Sequence, residues 1–259
     1  MGTRSPLARA KQLRGILGFV LLFAVWQAVT SSGLVKPIAL ATPEAVFSVI
    51  ISGIADHSLL INTGVSLERL VLSVIVAGTL GIALGVAVGL SRRFGSFVEP
   101  LAAFFNAISG IVWLPLAITW FGLTWKMLLF VIANSVFFII FFNTLLGIRT
   151  VPRVYEQAVF TLGASRWRSI LDVLVPGALP GIISGLRLGL GFGWRALIAA
   201  ELVGATQGLG FMIYSAAQYL RTDVILAGIV VIGIIAYALD AVLLGPLERA
   251  TVERWGAYN

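Results

Sequence analysis

Six apolar runs succeed one another along the chain, at about residues 15–31, 68–90, 101–121, 127–147, 181–203 and 224–245, with the polar and charged residues gathered between them. A helix needs roughly 20 mainly apolar residues to cross the hydrocarbon core of a bilayer. Each run meets that length, the first only just. The pattern predicts an all-α polytopic membrane protein with six transmembrane helices: a tail over 1–14, a transmembrane domain over 15–245, and a second tail over 246–259. The basic tail and short first run would also suit a secretory signal. The five runs that follow favour a retained signal-anchor helix.

The connecting segments carry patterns of their own. In the long segment 32–67, Thr42-Pro43-Glu44 supplies an N-cap, a first-turn proline and an acid at the positive end of a helix. Val46, Phe47, Ile50, Ile51 and Ile54 then recur at helical spacing, which predicts an amphipathic helix. Such a helix either lies along the outer membrane surface or packs on the bundle. His57, just beyond it, reads as a solvated loop residue. Within the spans, Gly81, Gly85 and Gly89 form one four-residue stripe, and Gly181, Gly185, Gly189 and Gly193 form another. Small-residue faces let helices approach closely in lipid, so both stripes are expected to face other helices.

Composition narrows the function classes. Of the 259 residues, 59% are hydrophobic and 11% charged, and the mean hydropathy is +1.02. Soluble domains are about a quarter charged. Lys and Arg number 18 against 11 Asp and Glu, an excess that placement explains. With the N-terminus inside, twelve basic residues fall on the cytoplasmic side: Arg4, Arg9, Lys11, Arg14, Arg92, Arg93, Arg149, Arg153, Arg166, Arg168, Arg249 and Arg254. Four fall outside: Lys36, Arg69, Lys126 and Arg221. That asymmetry puts both termini in the cytoplasm and removes the need for a nucleic-acid partner. The chain has no cysteine and one histidine, which excludes thiol nucleophiles and the two-histidine zinc helix. Lys11, Lys36 and Lys126 all lack the Gly-rich context of a phosphate-binding loop. Any ATP used here must bind to another chain.

The 33-residue segment from Ile148 to Pro180, assigned to the cytoplasm, is the most informative. Tyr155 to Leu162 reads as a short helix that Gly163 ends. Ser165 to Val175 reads as a second, starting at a serine cap and stopping at Pro176. Two ordered helices bearing arginines suit a docking platform. A merely solvated positive loop would account for the arginines but less well for the order.

Thr161-Leu162-Gly163-Ala164-Ser165, Val175-Pro176-Gly177-Ala178-Leu179-Pro180 and Gly185-Leu186-Arg187-Leu188 resemble the inner-membrane permeases of binding-protein-dependent ABC importers. The likeness is closest to the nitrate/sulfonate/taurine branch, through Leu114-Pro115-Leu116-Ala117, Trp120-Phe121-Gly122, Ala199-Ala200-Glu201-Leu202 and Leu220-Arg221-Thr222-Asp223. The resemblance implies a type I ABC importer permease fold in the bacterial inner membrane. It also implies a permease homodimer, two ATPase subunits that bind ATP and Mg, and a periplasmic or lipid-anchored binding protein. No cofactor is implied in this chain, which is a transport subunit and not an enzyme.

In those permeases a Glu-Ala-Ala signature in this loop sits in a cleft of the ATPase. Counted back from Gly163, it falls on Gln157-Ala158-Val159, and Glu156 lies one position early, about 100° around the helix. The carboxylate is therefore either replaced by an amide or supplied from a neighbouring angle. The resemblance assigns ATPase coupling to Glu156, Gln157, Ala158, Gly163, Ala164, Ser165 and Arg166. Charges inside spans are functional candidates. Arg195 lies about 21 Å along the fifth run at 1.5 Å per residue. It would attract a passing anion, or pair with Glu201 across a dimer axis or with a carbonyl. Arg187 is near enough to the span end to snorkel, and Asp240 to meet cytoplasmic water. Arg195, Glu201, Trp113 and Asn134 are the translocation-path candidates, and Pro115 is expected to kink or pack. The function expected is ATP-driven import of a small, anionic solute such as a sulfonate, taurine, nitrate or bicarbonate. The alternative is an ion-coupled secondary transporter, but the spans show few ionisable relays and no internal repeat.

Overall fold

A computed structural model describes residues 6–33 and 35–245. The chain divides into two compact units, residues 1–61 with 212–231 and residues 62–211 with 232–259. The tail 246–259 and residues 1–5 lie outside the described residues.

In the first unit, α1 (Pro6–Ser31) leads through a turn to α2 (Pro43–Ala55). Thr42 caps α2 as expected, its Oγ1 accepting from Ala45 N at 3.3 Å. The packed reading of α2 holds on one face, and the other face is apolar and exposed. Val46, 2% exposed, packs with Ala41, Ala227, Trp26, Val49 and Ile50, while Phe47, Ile51 and Ile54 stay exposed. The Trp26 indole donates to Ala41 O at 3.0 Å and fixes the turn on α1. Asp56 and His57 then join α2 to α3 (Ser58–Leu90). The hydroxyl and the backbone N–H of Ser58 bond Asp56 and hold its carboxyl below the ordinary carboxylate range. His57 is exposed, at φ 62°.

In the second unit, α6 (Trp125–Thr150) is the axle. It buries Leu128, Val131, Ile132, Val136, Ile140 and Phe141 among others, and both glycine stripes close on it. A Cβ at Gly85 of α3 would stand 2.8 Å from Thr144 Cβ, and one at Gly89 would stand 2.7 Å from Ile148 Cγ2. From the other stripe, on α9 (Val175–Gly204), a Cβ at Gly181 would reach Gly147 Cα at 2.8 Å. One at Gly185 would reach Asn143 Cβ, also at 2.8 Å. Backbone contact this close forfeits no hydrophobic driving force in lipid and gains dispersion contact along the whole face.

Among the described residues, four helices are long and apolar enough to cross a bilayer: Ser58–Leu90, Trp125–Thr150, Arg166–Gly204 and Thr222–Val242. The expected first span appears as the shorter apolar stretch Leu17–Ser31 within α1. The expected span 101–121 is not one straight helix. α4 (Arg92–Ala107) is capped by Ser91, turns through 84° at Ile108–Ser109, and continues as a 3₁₀ turn (Gly110–Trp113) and α5 (Leu114–Phe121). The unbroken apolar run concealed the break. The backbone leaves the helical region at Ile108 and Ser109 (ψ 114° and 137°), and Gly110 just beyond lies so close to Ser135 of α6 that a Cβ would overlap the Ser135 hydroxyl. Pro115 sits in the first turn of α5, where its missing N–H is not needed. It starts a helix and does not kink one.

The second helix of the 148–180 segment also departs from expectation. It does not stop at Pro176. α8 (Arg166–Ser169) runs through a π turn (Ile170–Leu174) directly into α9, so that Arg166–Gly204 is continuous over 39 residues. Val175 N–H bonds Ile170 O, five residues back. The wider π ladder accommodates a proline, which lacks its own donor and crowds the preceding turn. Beyond α9 come α10 (Leu209–Gln218), α11 (Thr222–Ala238) and a second π turn (Leu239–Leu244).

Candidate functional site

Near the end of α9, Glu201 is fully buried, with 0% exposure. An unpaired carboxylate there would cost several kcal/mol, and the surroundings are built to avoid that. Ser66 Oγ of α3 lies 2.9 and 2.8 Å from its two oxygens, and Arg69 Nη1 donates to Oε1 alone at 2.7 Å. Gly210 N–H adds a bond at 3.0 Å. Arg69 also donates to Gln207 O at 2.6 Å. Two more amides at the start of α10 are satisfied from α3: Gly208 N–H by Asn62 Oδ1 and Leu209 N–H by Ser66 Oγ, both at 2.9 Å. The orphan donors and positive dipole of that helix end thus meet a carboxylate and two polar side chains. Two glycines make room. Gly208 sits at φ 119°, where a Cβ would overlap the Glu201 carboxylate, and a Cβ at Gly210 would lie 2.6 Å from Glu201 Cβ.

This clasp joins residues that the sequence pattern separates. Asn62, Ser66 and Arg69 fall in or beside the expected loop 32–67, but α3 already begins at Ser58. The signal available was the carboxylate itself, buried in an apolar run with no cation at helical spacing. Within the chain its partner is Arg69 and not Arg195. A cleft of about 260 Å³ lies beside the pair, lined by Glu68, Arg69, Gln207 and Trp125 among others.

The other path candidates lie elsewhere in the same unit. Arg195 is exposed, and its guanidinium lies 5.6 Å from the centre of the Phe192 ring. It has no carboxylate partner among the described residues. Trp113 Nε1 and Asn134 Oδ1 are buried without a hydrogen-bond partner among the described residues. Arg187 and Asp240, expected to reach water separately, pair with each other at 3.0 Å.

At the opposite end of α9, the segment after α6 forms α7 (Arg153–Thr161), none of whose residues is buried. Gly163 closes it at φ 82°. Gly163 N–H bonds Phe160 O at 3.0 Å and Ala164 N–H bonds Val159 O at 3.2 Å, which is the paired stop that a left-handed glycine permits. Ser165 caps α8, its hydroxyl accepting from Arg168 N at 3.4 Å. Glu156 is half-buried and turned to the bundle; Gln157, Ala158 and Arg166 are exposed. Glu99 of α4 holds Arg149 at the end of α6 through both carboxylate oxygens.

A family model described as "Binding-protein-dependent transport system inner membrane component" matches residues 77–247. The chain is 39% identical over 253 residues to the taurine transport system permease protein TauC of Escherichia coli, covering 96% of this chain and 92% of that one. It is 32% identical over 256 residues to the bicarbonate transport system permease protein CmpB of Synechococcus elongatus, with 95% and 89% covered. Among solved structures, a chain of the inward-facing MetNI methionine ABC transporter shares the fold. The TM-score is 0.53 at 19% identity, over 72% of this chain and 94% of that one.

Proposed function

Given that the chain belongs to the family of inner-membrane components of binding-protein-dependent transport systems, we propose that it forms the translocation pathway of an ATP-driven importer for a small anion. The observation that carries the reading is α7. It is a nine-residue helix with no buried residue, stopped by Gly163 and joined, through α8 and the π turn, to a continuous helix that ends beside Glu201. A push on α7 is thereby transmitted along a stiff element to the far end of the bundle. The chain does no covalent chemistry in this scheme. ATP and Mg bind to two partner ATPase subunits, an external binding protein delivers the solute, and two copies of the permease enclose the path. Both termini lie in the cytoplasm, with the tails 1–14 and 246–259 and the 148–180 segment on that side.

In this reading Gln157 and Ala158, on the exposed side of α7, meet the ATPase, with Gly163, Ala164, Ser165 and Arg166 shaping the platform. Glu156 faces the bundle and steadies the helix from behind. Arg195, an exposed cation with no carboxylate partner among the described residues, attracts the anion. Trp113 offers it an indole N–H donor, and Asn134 an unpartnered amide on the same path. Glu201, fully engaged by Ser66 and Arg69, holds the end of the lever and does not touch solute. The relatives named for taurine and bicarbonate transport support an anionic cargo.

The experiment is co-purification with the partner ATPase, followed by uptake in vesicles. The parent should retain the ATPase, and uptake should stop when that ATPase is inactive. Gly163→Val, which forces a β-branched residue into the left-handed region, should release it, while Gly163→Asn keeps it. Uptake that survives an inactive ATPase and collapses with an uncoupler would overturn the proposal in favour of an ion-coupled transporter.

A further inference from the structure

A cleft of about 810 Å³ opens at the α7 end of the second unit, between the last turn of α3, the start of α4, the end of α6 and the α7–α8 segment. Arg92, Arg149, Arg153 and Arg166 line it, against one carboxylate, that of Glu156. Arg149 is engaged by Glu99. Arg92, Arg153 and Arg166 have no carboxylate partner among the described residues. Gln157 adds an amide at the cleft, and the rest of the wall is apolar, with Leu90, Ile148, Phe160 and Leu174.

Like charges turned into one cavity repel each other unless an anion joins them. The planar, multiply donating guanidinium matches phosphate oxygens better than any other side chain. We propose that this cleft binds a phosphate-bearing anion, and that its source is the headgroup of an anionic phospholipid. The arginines alone would suit a free phosphate equally. The apolar half of the wall would not be used by a small ion, but it fits the glycerol and first methylenes behind a phosphodiester. The location agrees. Leu90 ends one spanning helix and Ile148 is two residues from the end of another, which sets the cleft at the level where headgroups lie. Basic pockets between spanning helices are a recurrent form of lipid recognition. A lipid held there would brace α7 against the bundle, making the stiffness of the coupling segment depend on the membrane. The inference rests on α3 and α6 spanning the bilayer and not on what α7 docks to.

The test uses the purified chain without its partners, read by native mass spectrometry. Phosphatidylglycerol is compared with phosphatidylcholine of the same acyl chains, and inorganic phosphate is added in a third arm. The parent should retain phosphatidylglycerol and not phosphatidylcholine. Arg92→Gln/Arg153→Gln should lose it by about tenfold or more, the scale of one charged hydrogen bond. Arg93→Gln/Arg168→Gln, the same change of charge outside the cleft, should not. Should the double variant fail to fold, Arg153→Gln read against Arg168→Gln carries the same comparison. Equal retention by parent and cleft variants overturns the site. Arginine-dependent binding of inorganic phosphate without phosphatidylglycerol overturns the lipid assignment. The ATPase is absent throughout, so the result stands apart from the coupling role of α7.

Discussion

Glu201 shows how one side chain can organise the end of a helix. Its carboxylate sits one turn from the C-terminus of α9, where the dipole disfavours negative charge. It is stable there because Arg69, Ser66 and the first amides of α10 surround it. Removing one member of a buried pair leaves the other uncompensated, at a cost of about 3–5 kcal/mol. Glu201→Ala should therefore destabilise the chain by that amount in a detergent unfolding titration, and Arg69→Met by a similar amount. The double change should cost clearly less than the sum of the two, as coupled neighbours do. The charge of Arg69 was visible in the sequence, but its partner was not. Loop and helix are separated there by polar residues, and a buried carboxylate gives its position away only through a fold that brings Asn62, Ser66 and Arg69 onto its far side.

Among the elements, the glycine faces were the most legible. Their four-residue spacing announces a contact before its partner is known, and α6 proves to be the partner of both. At Gly85 and Gly185 a methyl group would lie 2.8 Å from its neighbours. Gly85→Leu and Gly185→Leu should each lower stability by at least about 1–3 kcal/mol, the usual overpacking cost, read as a lower melting temperature. Leucine at Gly191, which meets nothing within 4 Å, should leave it near the parent value. The break between α4 and α5 was illegible for the opposite reason. Apolar periodicity registers length and face, and Gly110 is one glycine among 28. Only its apposition to Ser135 distinguishes it. Pro176 misled in a third way, since a proline ends a regular helix but can be carried by a π turn.

For the whole molecule, the long apolar runs identified a multi-pass membrane protein, and several short motifs in order identified the family. What composition could not convey is that the second half of the 148–180 segment and the last turn beside Glu201 belong to one helix, Arg166–Gly204. That continuity turns the π turn at Ile170–Leu174 into a phase setting. It inserts one residue into the helical count between the exposed α7–α8 segment and the glycine face that grips α6. Deleting Val173 would restore a regular helix and rotate everything before it by about 100°, carrying α7 to another bearing while leaving every contact of Gly181–Gly193 in place. The deletion should abolish retention of the ATPase, whereas Val173→Ala, which keeps the count, should not. If α7 meets the ATPase as proposed, one residue of helical phase decides which face of α7 is offered to it.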